Sequence, residues 1–217
     1  MPNKQAESAL VMQFAKWPEA GQVKTRLMPE LGEQGALAAH ITLSLAVLDQ
    51  LSASDCEVRF FWDRELSDVP EAARPIISRI EALGVRQGFQ RGDVLGQRME
   101  AALSEALASY SRAIIVGSDC PSVDAGYIHQ AVQALEDADV VLGPSDDGGY
   151  VLIGARTFVS GMLDGIHWGT DRALAETVAR LEACGLSCRQ LPPRWDVDEP
   201  EDWRRFVSQF PRYDPAV

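Results

Sequence analysis

Positive charge is in short supply in this sequence. Twenty Lys and Arg stand against 32 Asp and Glu, a formal net charge of −12. A chain so charged repels polyphosphate backbones, which argues against a general nucleic-acid binder. Small phosphorylated ligands stay open to it, because a few local cations or a metal ion can override the global field. Cysteine is sparse too: Cys56, Cys120, Cys184 and Cys188 are scattered and lack the paired spacing of a zinc site. The residues before Ala9 lead into an apolar run too short and too interrupted for a signal peptide or a membrane span. A cytoplasmic, thiol-reduced setting is therefore expected. Repeats, low-complexity tracts and long linkers are also missing. What remains is 46% hydrophobic and 24% charged, ordinary for a soluble enzyme and wrong for disorder. Its 217 residues are expected to fold as a single domain over 1–217.

Apolar runs of strand length alternate with stretches of helical periodicity. Strands are predicted over 9–15, 58–62, 113–116, 140–142, 150–153 and 186–191. Helices are predicted around 37–48, 75–83, 94–110, 127–135, 171–183 and 200–210, with Gly84 a stop signal. This alternation predicts an α/β domain around a largely parallel sheet. Ligands then bind beyond the carboxyl ends of the strands, so the residues just after each strand matter most.

Four such segments carry chemistry. After the first strand, Lys16, Lys24 and Arg26 crowd one loop of an acidic chain, with Gly21 free to take an unusual backbone angle. Basic side chains and free amides suit a diphosphate. Lys24-Thr25 has no Walker A glycine before it, Val23 standing there, which disfavours a P-loop kinase. Asp119, in Gly117-Ser118-Asp119-Cys120-Pro121, follows a buried strand. It is a candidate ligand for Mg²⁺ or Mn²⁺ as well as a candidate turn residue. Gly143 to Tyr150 joins two strands as a hairpin, yet holds Asp146, Asp147, Gly148 and Gly149, more than a minimal turn needs. There the glycines let a sugar or phosphate lie against the backbone, and Asp147 orients hydroxyls or the metal. Asp198 with Glu201 has the form of a capping box, and joins the chemistry only if it approaches Asp119. Two weaker features complete the set. Gly96 and Arg98 open a helix within reach of a nucleotide, and Trp168 offers an apolar face to a sugar ring. His167 lacks a visible partner, and Thr170 is a candidate cap for the helix that follows.

Taken together these segments resemble a bacterial family of glycosyltransferase-like proteins related to nucleotide-diphospho-sugar transferases. The resemblance is carried in order by Phe14 to Leu27, Gln90 to Met99, Gly117 to Pro121, Gly143 to Gly154, Trp168 to Thr170 and Asp196 to Asp202. It implies a GT-A-type fold: a three-layer α/β/α domain with a mixed, mainly parallel sheet. It also implies phosphate-binding roles for Lys16, Lys24 and Arg26, and divalent-cation binding by Asp119 and Asp198. Which of Asp146, Asp147 and Asp196 joins them stays open.

The leading expectation is a metal-dependent glycosyltransferase-like enzyme using a nucleotide-diphosphate sugar and a small-molecule acceptor. Asp119 and Asp147 are its candidate catalytic residues, and Asp146, Gly148, Gly149 and Trp168 its candidate acceptor contacts. Gly21, Gly96 and Arg98 join the basic loop at the nucleotide. The alternatives are a nucleotidyltransferase joining a nucleoside triphosphate to a phosphorylated small molecule, and a non-catalytic nucleotide-sugar-binding protein.

Overall fold

Every residue of the first apolar run, Ala9–Ala15, is buried, as befits a strand covered on both faces. The computed structural model describes residues 8–213. Its strands are β1 (Ala9–Ala15), β2 (Glu57–Trp62), β3 (Arg86–Phe89), β4 (Arg112–Gly117), β5 (Val140–Pro144), β6 (Tyr150–Ala155) and β7 (Cys188–Gln190). They form one sheet in the order β3-β2-β1-β4-β6-β5-β7. Pairing is parallel except on both sides of β6, which runs antiparallel to β4 and to β5. The sheet is thus mixed and mainly parallel, as expected. β3 was not expected: Arg86-Gln87-Gly88-Phe89 has no apolar alternation, and its place at the sheet edge explains why none is needed.

The helices are α1 (Met28–Ser52), α2 (Arg74–Leu83), α3 (Leu95–Leu107), α4 (Ala125–Asp137), α5 (Ala173–Ala183) and α6 (Pro200–Gln209). Gly84 ends α2 in the left-handed conformation, at φ 66°. Alternate residues of β1 divide between the two faces of the sheet. Val11 and Ala15 join Val47 of α1, Ile76 of α2 and Tyr127 of α4, whereas Leu10, Met12 and Phe14 join Leu103 of α3 and Leu181 of α5. The result is three layers. By length and composition the stretch Thr25–Ser52 is apolar enough to cross a membrane. Leu43, Val47, Leu48 and Leu51 are instead fully buried in the protein's own core, which accounts for the apolarity.

Several polar side chains are built into this core, Gln13, Ser44 and Thr177 among them. Gln13 of β1 is fully buried, and its amide donates to the Ser44 carbonyl of α1 at 2.9 Å and to Ser118 Oγ at 3.0 Å. A buried amide is costly unless hydrogen-bonded. The pair of bonds therefore fixes the turn after β4 against the neighbouring strand and helix.

Candidate nucleotide and metal site

The carboxyl ends of β1, β4 and β5 open on one edge of the sheet, and the chain after β7 is drawn across that edge as a strap. Leu191 N–H donates to the Leu142 carbonyl at 2.9 Å, Arg194 N–H to Pro144 at 2.9 Å, and Val197 N–H to Asp119 at 2.9 Å. Each bond closes a sheet-like contact with the end of a strand. The last of them sets Val197 beside Asp119, so its neighbours Asp196 and Asp198 arrive at the same place. Asp119, Asp196 and Asp198 each present a carboxylate oxygen within 4.8 Å of the others.

Lys24 enters this group from the loop after β1. Its Nζ lies 2.9 Å from Asp119 Oδ2 and 3.0 Å from Asp198 Oδ1, and donates to the Val197 carbonyl at 2.5 Å. The side chain is only 7% exposed. Among the described residues Lys24 is the single non-glycine with positive φ, at 46°. Such a conformation costs about 1–3 kcal/mol and persists only where its surroundings over-determine it; here three acceptors do so. Arg26 reaches Asp198 Oδ2 at 3.4 Å and Glu199 at 3.7 Å while remaining largely exposed.

Burial and charge act against each other at these groups. Burial pulls the Lys24 ammonium down, but Asp119 and Asp198 together hold it above the ordinary lysine range. Burial pushes Asp119 up, and Lys24 with its hydrogen bond outweighs that and holds it at about 2. Asp196 has no such partner. Burial, then repulsion from Asp119, Asp198 and Asp147, lifts it to about 7. Cys120 is buried and donates to Asp119 Oδ1 at 3.3 Å; burial next to that charge keeps its thiol protonated.

A cavity of about 510 Å³ runs from this cluster along the β1 loop, lined by Lys16, Lys24, Arg26 and Arg98 as well as Asp119 and Asp198. Arg98 is held by its Nε bond to the Gly92 carbonyl at 3.0 Å. Asp147, Gly149 and Trp168 line a neighbouring cavity together with Asp196. Asp147 Oδ1 accepts from the Ser145 hydroxyl and from Gly149 N–H, which fixes the carboxylate in the β5–β6 turn.

Four residues expected at the ligand are placed elsewhere. Asp146, next to Asp147 in the turn, faces a separate groove with Arg194 and Arg205. Gly148 gives its close approach to the protein rather than to a sugar: a Cβ there would lie 2.3 Å from the Asp171 carbonyl. Gly96 is a packing glycine under Trp168, where a Cβ would meet the indole at 3.2 Å. Gly21 does take a left-handed φ, 76°, but shapes the loop from outside the cavity wall, beside Glu33.

Other details also differ. The capping box of α6 is formed by Glu199 and Asp202, one residue later than the spacing of Asp198 and Glu201 suggests, and this frees Asp198 for the cluster. The cap of α5 is Arg172, with Thr170 accepting from Arg172 N–H in the turn before it. His167 does have a partner, Glu176, at 3.1 Å.

Of the cleft residues, Asp196 was one of three alternatives the sequence left open, and His40 was not singled out. Asp196 stands two positions from Asp198, and in extended chain that spacing places both side chains on one face; this was the available signal. His40, on the buried face of α1, donates from Nε2 to the Lys16 carbonyl at 3.0 Å and lines the larger cavity. Burial holds it below the ordinary histidine range, so at neutral pH it braces the basic loop without adding charge. A lone histidine inside a helix carries no signal for that role.

Residues 47–170 match the family described as "Uncharacterized protein conserved in bacteria (DUF2064)". The chain belongs to this family. Among solved structures, the DUF2064 chain is similar to a candidate nucleotide-diphospho-sugar transferase from Desulfovibrio desulfuricans. The two share 29% identity over 96% of this chain and 89% of that one, with a TM-score of 0.80. It shares its fold with 4-diphosphocytidyl-2C-methyl-D-erythritolsynthase from Anaerococcus prevotii, at 13% identity over 96% and 98% of the chains and a TM-score of 0.60. A manganese complex from Mycobacterium tuberculosis has the fold as well, at 16% identity over 93% and 98% of the chains and a TM-score of 0.52. No curated protein matches. The fold is that of the GT-A-type nucleotide-diphospho-sugar transferases, and the neighbour from Desulfovibrio desulfuricans is a transferase candidate by description.

Proposed function

We propose that this protein is a divalent-metal-dependent transferase that takes a nucleotide-diphosphate sugar and passes the sugar to a small-molecule acceptor. One observation carries the reading. Chain segments far apart in sequence converge so that Asp119 and Asp198 share one cavity at the ligand edge of the sheet with four cations, and Asp196 closes the acidic group from the adjoining cavity. The 29%-identical structure described as a nucleotide-diphospho-sugar transferase candidate supports the same donor class.

The donor set suits a hard cation. Asp119, Asp196 and Asp198 offer oxygen ligands only, the chemistry of Mg²⁺ or Mn²⁺ sites rather than of zinc. Held there, such an ion supplies positive charge beside the diphosphate. Lys16, Arg26 and Arg98 bind the remaining phosphate oxygens, and charge-assisted bonds of this kind strengthen as charge gathers on the departing group. Lys24 keeps Asp119 and Asp198 ionised and positioned. In the transfer, the acceptor oxygen forms a bond to the anomeric carbon while the bond from that carbon to the diphosphate oxygen breaks. The electron pair leaves with the nucleoside diphosphate, and the acceptor proton passes to the Asp147 carboxylate, which the Ser145 hydroxyl and Gly149 N–H hold in place.

The same cavity suits a nucleoside triphosphate, with attack at phosphorus and release of pyrophosphate. Mass spectrometry after incubation with sugar nucleotides, or with triphosphates and sugar phosphates, separates the two reactions by product. Ligand binding without turnover of either set would point to a sensor. The site itself is tested by Asp119→Asn. Calorimetry should show Mn²⁺-dependent nucleotide binding weakened by about tenfold or more, equivalent to about 1.4 kcal/mol, with an unchanged circular dichroism spectrum. Binding equal to that of the unmodified protein would remove Asp119 from the site.

A further inference from the structure

Adjoining the first cavity at Phe14, Leu95 and Gly117 lies the second, of about 210 Å³. It is small beside the roughly 300–1,000 Å³ of pockets that hold drug-sized ligands, and is scaled for a single ring. Phe14, Leu95, Met99, Leu152, Tyr150 and Trp168 contribute its apolar walls, with Tyr150 and Trp168 edge to face at 6.0 Å. Among the described residues, the charged side chains that line it are Asp147 and Asp196; no Lys, Arg or His does. The larger cavity has the opposite character, with Lys16, Lys24, Arg26 and Arg98 in its wall. The two share Phe14, Leu95 and Gly117, so a molecule in one abuts a molecule in the other.

This polarity discriminates between co-substrates. A phosphate ester seated in the small cavity would lie against the Asp147 carboxylate, which stands outside the proposed cation site, with no Lys, Arg or His in the lining to offset it, and like-charge juxtaposition suppresses binding. A neutral molecule loses nothing there, and an ammonium gains. Apolar walls with an indole face favour a ring or compact hydrocarbon body. We infer that the small cavity receives the acceptor, and that the acceptor is an uncharged or cationic molecule with an apolar, ring-sized body rather than a phosphorylated one. The word acceptor rests on the transfer reading above; the ligand class rests on the lining.

The test uses benzyl alcohol, benzylamine and benzyl phosphate as probes of equal body and different charge. Their binding to the full chain is followed by saturation-transfer NMR, and the nucleotide panel is titrated separately with Mn²⁺. Benzyl alcohol and benzylamine should bind about tenfold or more tightly than benzyl phosphate. Trp168→Ala should weaken both, while Trp168→Phe, which keeps an aromatic wall, should retain most of the affinity. Asp147→Asn should narrow the gap between alcohol and phosphate, an electrostatic effect that a purely structural role would not give. Equal or preferred binding of benzyl phosphate would overturn the inference, as would no binding by any of the three. If nucleotides fail to bind while the benzyl series behaves as described, the transfer reading falls and the ligand class stands. Normal nucleotide binding with benzyl phosphate preferred defeats the ligand class alone.

Discussion

Asp196→Asn should make the metal-free protein more stable, and only above a certain pH. Asp196 stands at about 7 against an ordinary 3.8, because it is largely buried among Asp119, Asp198 and Asp147. A raised acid is protonated in both folded and unfolded chains below about pH 4, and there it costs nothing. As pH rises from 4 through 7 the unfolded chain ionises freely while the folded one resists, so stability is lost across that window. At about 1.4 kcal/mol per pH unit the full shift corresponds to about 4 kcal/mol, an upper bound for a group in partial contact with water. We expect about 1–2 kcal/mol. For a domain of this size that raises Tm by about 2–8 °C. The assay is thermal denaturation of both proteins in chelator at pH 8 and pH 4. The variant should melt higher at pH 8, and the two should coincide at pH 4. Added Mn²⁺ should reverse the order at pH 8, because the unmodified protein gains a ligand that binds only its folded state and the variant loses a ligating carboxylate. A variant less stable at both pH values would refute the reasoning, since Asp196 would then be a structural acceptor rather than a strained ligand.

Further outcomes follow from the same geometry. Lys24→Met leaves Asp119 and Asp198 without their ammonium. Breaking a buried pair costs about 3–5 kcal/mol, but these carboxylates are 38% and 40% exposed, so about 1–3 kcal/mol is expected in chelator by urea denaturation. Lys24 holds Asp119 at about 2; that stabilisation is present above pH 4 and is lost as pH falls through 2, so the difference between the two proteins should shrink in acid. A gap that ignores pH would mean Lys24 acts through packing alone. Gly148→Ala places a methyl 2.3 Å from the Asp171 carbonyl at a φ of +86°. It should cost about 2 kcal/mol or more and lower Tm by about 4–8 °C, measured by calorimetry. A variant that melts with the parent would show that the turn can move away from Asp171.

Most elements were legible because their signals are local. Val58 to Trp62 and Ala113 to Val116 read as strands from β-branched and aromatic runs, and Gly84 marked the end of α2. The antiparallel hairpin of β5 and β6 was announced by Asp147-Gly148 between two apolar runs. Edge strand β3 was not, because a strand half open to water needs no apolar pattern. Within the cleft, charge crowding in the β1 loop and a carboxylate after β4 drew attention to Lys24 and Asp119. The roles of neighbouring residues in a turn were harder. Asp146 and Asp147 differ by one position and point to different grooves, and a turn has no periodicity to tell them apart.

The sequence by itself determined an alternating α/β chain with its chemistry at strand ends, because hydrophobic periodicity, turn residues and local charge are properties of contiguous segments. Only the tertiary structure decided that Lys24 lies between Asp119 and Asp198, that Asp196 completes the acidic group, and that cations and apolar walls divide between two adjoining cavities. Those facts depend on backbone hydrogen bonds such as Val197 to Asp119, which join segments 78 positions apart. Contacts of that range are set by how the sheet packs and where the strap crosses it, and no local pattern encodes them.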